Sequence, residues 1–148
     1  MATGVVSQVF IDTNILVYAT MSQSPFHAQA QAALQTLNSN SDELWISRQI
    51  IREYLAVLSR AQASSGAVSP ADLIREVESF LKQYAIAEDG PDVTAKLLDL
   101  LLLIDTGGKQ VHDANIVATM LVHGIGTLLT HNVSDFTRFS SLITVVPL

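Results

Sequence analysis

Six residues near the start of the chain, Val9-Phe10-Ile11-Asp12-Thr13-Asn14, restrict the possible folds more than any other stretch. Three apolar residues end abruptly in a carboxylate, two short polar residues follow, and a new apolar segment runs from Ile15 to Ala19. A short unbroken apolar run fits a strand covered on both faces, as in a parallel sheet. Asp12 then lies at the carboxyl end of that strand, where open α/β sheets place their ligand sites. Thr13 and Asn14 can turn the chain and cap the helix that follows. Asp12 can equally be no more than a cap, and this stretch alone leaves both readings open.

The composition narrows the class. With 148 residues, 49% of them hydrophobic and 15% charged, the chain fits one domain with a sizeable core. It has no cysteine, which excludes disulfides, thiolate metal sites and cysteine nucleophiles. The N-terminus has no basic segment before an apolar core, so no secretory signal is expected. The most apolar run, Leu97 to Ile104, is interrupted by Asp99 and is far short of the roughly 20 residues that span a bilayer. A soluble, cytoplasmic protein is therefore expected. The net charge of -6 weighs against a partner bound through phosphate neutralisation. Carboxylates gathered around a cation would, however, contribute to that charge while being neutralised in use.

Along the chain, strands alternate with helices. After the first strand and short helix, Pro25 to Leu37 reads as a helix, with Pro25 in its first turn. Leu44-Trp45-Ile46 reads as a strand, and Ser47 as the cap of a helix ending near Arg60, with Ala63 to Gly66 breaking the chain. Ser69-Pro70 opens a helix to about Lys82. Tyr84 to Ala87 reads as a strand, Asp92 to Asp105 and His112 to His123 as helices, and Gly126 to Thr130 and Leu142 to Val146 as the last two strands. The pattern predicts a three-layer α/β/α sandwich on a mostly parallel five-stranded sheet, with residues 1–148 as a single domain.

Four places carry acids where such a fold would bring them together. Asp12 ends the first strand. Glu53 edges the apolar stripe Ile50, Ile51, Tyr54, Val57 and Leu58; Arg48, Arg52 or a helix end could instead be its partner. Asp113 belongs to the inward stripe Ile116, Val117, Met120 and Leu121, and a favourable first-turn dipole contact would also explain it. Asp135 follows the strand ending at Thr130, where Asn132 and Asp135 could simply form a turn. Parallel strands bring their carboxyl ends to one edge of the sheet. Carboxylates crowded there repel one another unless a cation neutralises them. An all-oxygen cluster favours Mg²⁺ or Mn²⁺ over zinc, and such a site can activate water and stabilise charge on a phosphoryl group.

These segments resemble the PIN domain (PilT N-terminus), a family of metal-dependent ribonucleases that includes the VapC-like toxins of bacterial toxin–antitoxin pairs. Val9 to Tyr18 is similar to the opening motif, Ser47 to Leu58 to the segment with the helical Glu, Val111 to Ala118 to the third acidic motif, and Leu128 to Phe136 to the fourth. The resemblance implies Asp12, Glu53, Asp113 and Asp135 as catalytic and metal-binding acids, with Asn14, Thr130 and Asn132 in support. It implies Mg²⁺ or Mn²⁺ as cofactor, RNA as substrate, a cognate antitoxin protein whose tail blocks the site, and a homodimer. Arg48, Arg52, Lys109, His112 and His131 could meet phosphates; His27 and His123 carry only structural readings.

Two alternatives share the fold. A stand-alone RNA-processing nuclease would look the same from within the chain, and a non-catalytic module binding RNA or protein would be expected to have lost an acid. A phosphoacceptor receiver domain wants paired acids after the first strand and a late Lys, and a haloacid-dehalogenase-like phosphatase wants Asp where Asn14 stands. Neither pattern is present.

Overall fold

The computed structural model describes residues 6–65 and 68–148, without the side chains of 61–65. The apolar run becomes β1 (Gln8–Ile11), with Val9, Phe10 and Ile11 all buried. It lies at the centre of a five-stranded sheet in the order β3-β2-β1-β4-β5, where β2 is Glu43–Ser47, β3 Ala85–Ala87, β4 Thr127–Thr130 and β5 Thr144–Pro147. Every strand pair is parallel, so the expected sheet is found and is parallel throughout. The short β3 and β5 form the edges. Pro147 ends β5, an edge strand, where a residue without an N–H is tolerated.

The helices are α1 (Thr13–Thr20), α2 (His27–Ser39), α3 (Arg48–Ser65), α4 (Pro70–Gln83), α5 (Pro91–Leu103) and α6 (Gln110–Val122). The first two crossovers step the same way across the sheet, from β1 to β2 and from β2 to β3. Right-handed crossovers then put α1 to α4 on one face. The third crossover reverses direction to reach β4, which carries the α5–α6 pair to the other face. Helix contacts agree: α1 packs on α2 and α3, α3 on α4, and α5 on α6. The reversal occurs between β1 and β4, the position where ligand clefts open in such sheets.

Several helix starts follow from local chemistry. Ser69 accepts the Asp72 N–H at 3.1 Å and Pro70 opens α4, while Ser47 caps α3 through the Ile50 N–H at 3.4 Å. Other expected boundaries shift. Pro25 lies in a turn in which the Ser24 hydroxyl accepts the Phe26 N–H, and α2 starts only at His27. Helix α3 continues past Arg60 to Ser65, and Gly66 of the expected chain break lies outside the described residues. Among the described residues no helix is long and apolar enough to cross a membrane.

Candidate metal-binding active site

Asp12 leaves β1 at the point of reversal. Its own N–H still bonds the Leu129 carbonyl of β4 at 3.0 Å, which fixes the carboxylate against the neighbouring strand. One carboxylate oxygen, Oδ1, accepts the Thr13 N–H at 2.8 Å. The other, Oδ2, accepts the Thr130 hydroxyl at 2.7 Å and the Asn14 amide at 3.1 Å. The cap reading of Asp12 is therefore correct, and the same carboxylate faces the cleft. Asn14 is itself held by the His131 N–H, which donates to its Oδ1 at 3.0 Å, and Thr130 accepts the Asn132 N–H at 3.0 Å. The ends of β1 and β4 are laced together by these short polar side chains. Burial pushes the Asp12 carboxyl up, the three hydrogen bonds pull it back, and the nearby Glu53 charge adds to the rise.

Glu53 reaches the same place from α3. Its Oε2 accepts the Thr13 hydroxyl at 2.7 Å and its Oε1 accepts the Gln49 amide at 2.9 Å. Neither arginine considered for Glu53 is seen bonded to it: Arg48 pairs with Glu88 across an exposed gap of 2.7 Å. Gln49 is buried, and the same amide nitrogen donates to the His112 carbonyl of α6 at 2.9 Å. Its oxygen accepts from Asn115, whose amide also bonds Asp89 at 3.1 Å. Gln49 thus ties α3 to α6 and aligns Glu53 at the same time.

Asp113, in the first turn of α6, and Asp135, in a 3₁₀ helix over Val133–Phe139, complete the group. Their carboxylates take no side-chain hydrogen bond among the described residues. Partial burial raises the Asp113 carboxyl to about 6, with the charges of Asp135, Asp12 and Glu53 adding to the shift and Arg138 opposing it. The four acids, with Asn14 and Asn132, line one cleft of about 730 Å³ whose walls include Val17, Val57, Arg60 and Lys109. All four acids expected from the sequence share this cleft. Thr130 is buried beneath it, and Asn132 acts on Thr130 through its backbone. The sequence reading missed Thr13, Gln49 and Asn115. The remaining histidines divide: His27 bonds the Tyr18 carbonyl and His123 the Glu88 carbonyl, whereas His112 lines the cleft.

The donors are all hard oxygens. Among the described residues no group of three or more His, Asp or Glu side chains is arranged so as to hold a metal ion. Mg²⁺ keeps most of its waters and takes only one or two carboxylates directly, with substrate phosphate completing the shell. The uncompensated repulsion on Asp113 is what a divalent ion would remove.

Comparison with known proteins places the chain. A family model described as PIN domain matches residues 8–133. Ribonuclease VapC48 of Mycobacterium tuberculosis is 25% identical over 136 residues, covering 88% of this chain and 91% of that protein. The solved structure of VapBC2 from Rickettsia felis bound to a DNA fragment from its promoter superposes with a TM-score of 0.71, at 20% identity, over 95% of this chain and 98% of that one. A second structure, VapC20 of M. tuberculosis, described as a sarcin–ricin loop cleaving toxin, matches with a TM-score of 0.68 at 14% identity, over 92% and 96%.

Proposed function

This chain belongs to the PIN domain family, and from that membership we propose that it is a ribonuclease dependent on Mg²⁺ or Mn²⁺, the toxin of a toxin–antitoxin pair. The observation that carries the reading is the convergence of Asp12, Glu53, Asp113 and Asp135 on one cleft, with Asp113 raised by burial and by the other three charges. The kinship with VapC48, a ribonuclease by name, supports RNA as substrate, and the fold shared with solved toxin–antitoxin complexes supports an antitoxin as partner.

In this mechanism Asp12 and Asp113 would hold the cation most directly. When bound, the ion lowers the pKa of a coordinated water and offsets charge on the phosphoryl oxygens. Thr13, Asn14 and Thr130 orient Asp12, and their hydrogen bonds oppose the upward push of its burial. Glu53, fixed by Thr13 and Gln49, orients the attacking water and accepts its proton at a carboxylate oxygen. Asp135 would complete the set of acids around the cation.

Support for a homodimer comes from α5, where Leu98, Leu102 and Leu103 are 57%, 86% and 81% exposed. Leu102→Lys should shift the mass measured by light scattering from dimer to monomer. The test of the activity is cleavage of single-stranded RNA in Mn²⁺. Cleavage should vanish with a chelator and with Asp12→Asn; cleavage surviving both would overturn the proposal.

A further inference from the structure

Beside the carboxylate cleft stands a cluster of rings that the proposed mechanism does not use. Tyr18, on α1, lines the cleft together with Asp12 and Asn14. Its ring meets Phe26 at a centroid distance of 5.0 Å and the edge of His131 at 5.4 Å, and Phe26 and His131 approach to 4.3 Å. All three residues are partly exposed, unlike Phe136, the other aromatic residue lining the cleft, which is buried. His131 lies between Thr130 and Asn132, and its backbone N–H helps hold Asn14 against Asp12. The imidazole itself makes no hydrogen bond among the described residues, and neither does the Tyr18 hydroxyl. These rings come from α1, the turn before α2 and the loop after β4, yet they gather within reach of the site.

We propose that Tyr18, Phe26 and His131 form a stacking platform for an unpaired nucleobase next to the scissile phosphate. This rests on the ribonuclease reading of the cleft and deepens it by naming a base subsite. The charge argument favours stacking. With eight Lys and Arg against fourteen Asp and Glu, the chain is poorly equipped for the basic track by which many proteins hold nucleic acid. Stacking of a base on a ring needs no net charge, works for every base, and selects single-stranded or splayed-out RNA over duplex. A platform beside the carboxylates would fix one base and thereby set which phosphate faces the cation.

The test uses single-turnover cleavage of a short single-stranded RNA in Mn²⁺ by the wild type, His131→Leu and His131→Phe. His131→Leu should raise KM by about tenfold, the order expected for loss of one stacked base. His131→Phe, which keeps the ring and loses the nitrogens, should stay within about twofold. An abasic ribose at one position beside the cut should slow the wild type to a similar degree and slow His131→Leu no further. Equal rates for His131→Leu and wild type would overturn the proposal, as would a His131→Phe defect matching His131→Leu, or abasic substitution without effect at any position. If the wild type cleaves no RNA, the ribonuclease reading fails separately. The platform is then judged by binding of a 2-aminopurine-containing RNA to Asp113→Asn protein: quenching abolished by His131→Leu sustains it, and quenching left intact overturns it.

Discussion

The two halves of the carboxylate cluster are built differently. Asp12 and Glu53 are secured by five hydrogen-bond contacts from Thr13, Asn14, Gln49 and Thr130. Asp113 and Asp135 receive no such support from side chains among the described residues; burial and acidic neighbours raise both the Asp12 and the Asp113 carboxyl, but only at Asp12 do hydrogen bonds oppose the rise. The first half is preorganised by the fold and contributes to it. The second half holds charge that the protein alone leaves uncompensated. A ligand cation would complete the site by acting mainly on that second half.

The largest effect expected from this contrast comes from Asp12→Asn. Activity should fall by about 10² to 10⁴-fold, the range for losing a positioned acid–base or ion-orienting group. Stability should fall as well, because an amide facing both Thr130 and Asn14 leaves donors opposed to donors. A loss of about 1–3 kcal/mol in urea unfolding is expected. Asp113→Asn should abolish cleavage comparably while leaving metal-free stability unchanged or higher. Equal destabilisation by the two substitutions would erase the distinction between the halves.

Gln49→Ala sharpens the comparison from outside the acids. It removes a donor from Glu53 and the tie to the His112 carbonyl, at a cost of about 1–3 kcal/mol, and should lower activity less than Asp12→Asn does. Gln49→Glu should be worse than Gln49→Ala, since it sets a second carboxylate against Glu53 in a buried place. A Gln49→Glu protein as active and stable as wild type would contradict the role assigned to this amide.

The smallest effect is in pH dependence. Asp113 is held at about 6 against an ordinary value of 3.8, so the folded chain binds this proton more tightly than the unfolded one. The associated stability is fully present below 3.8 and lost as pH rises through about 6. Metal-free wild type should therefore lose more thermal stability between pH 5 and 7 than Asp113→Asn, by differential scanning calorimetry. Saturating Mn²⁺ should remove the difference.

The parts of the site legible in the sequence were those marked by backbone pattern. The unbroken apolar Val9–Ile11 stretch identified a strand buried on both faces, and the helical stripe ahead of Met120 located Asp113. The partners of the acids were not legible. Glu53 has cations nearby in sequence, yet its bonds run to Thr13, 40 residues away, and to Gln49 on its own helix. Hydrogen-bond choice of this kind depends on how α1 and α3 pack and leaves no periodic trace. The 3₁₀ helix carrying Asp135 is hard to tell from a simple turn in the sequence because so short an element shows no stripe. Pro25 misled in a similar way, since its fixed φ serves a turn as well as a first helical residue.

Crystals soaked in Mn²⁺ and measured for anomalous scattering test the central claim most directly. One Mn²⁺, or an adjoining pair, should appear in the cleft with an Asp12 oxygen and an Asp113 oxygen at about 2.1 Å, and Glu53 and Asp135 bound directly or through water. Saturated crystals with no Mn²⁺ in this cleft, or with the ion on other residues, would contradict it.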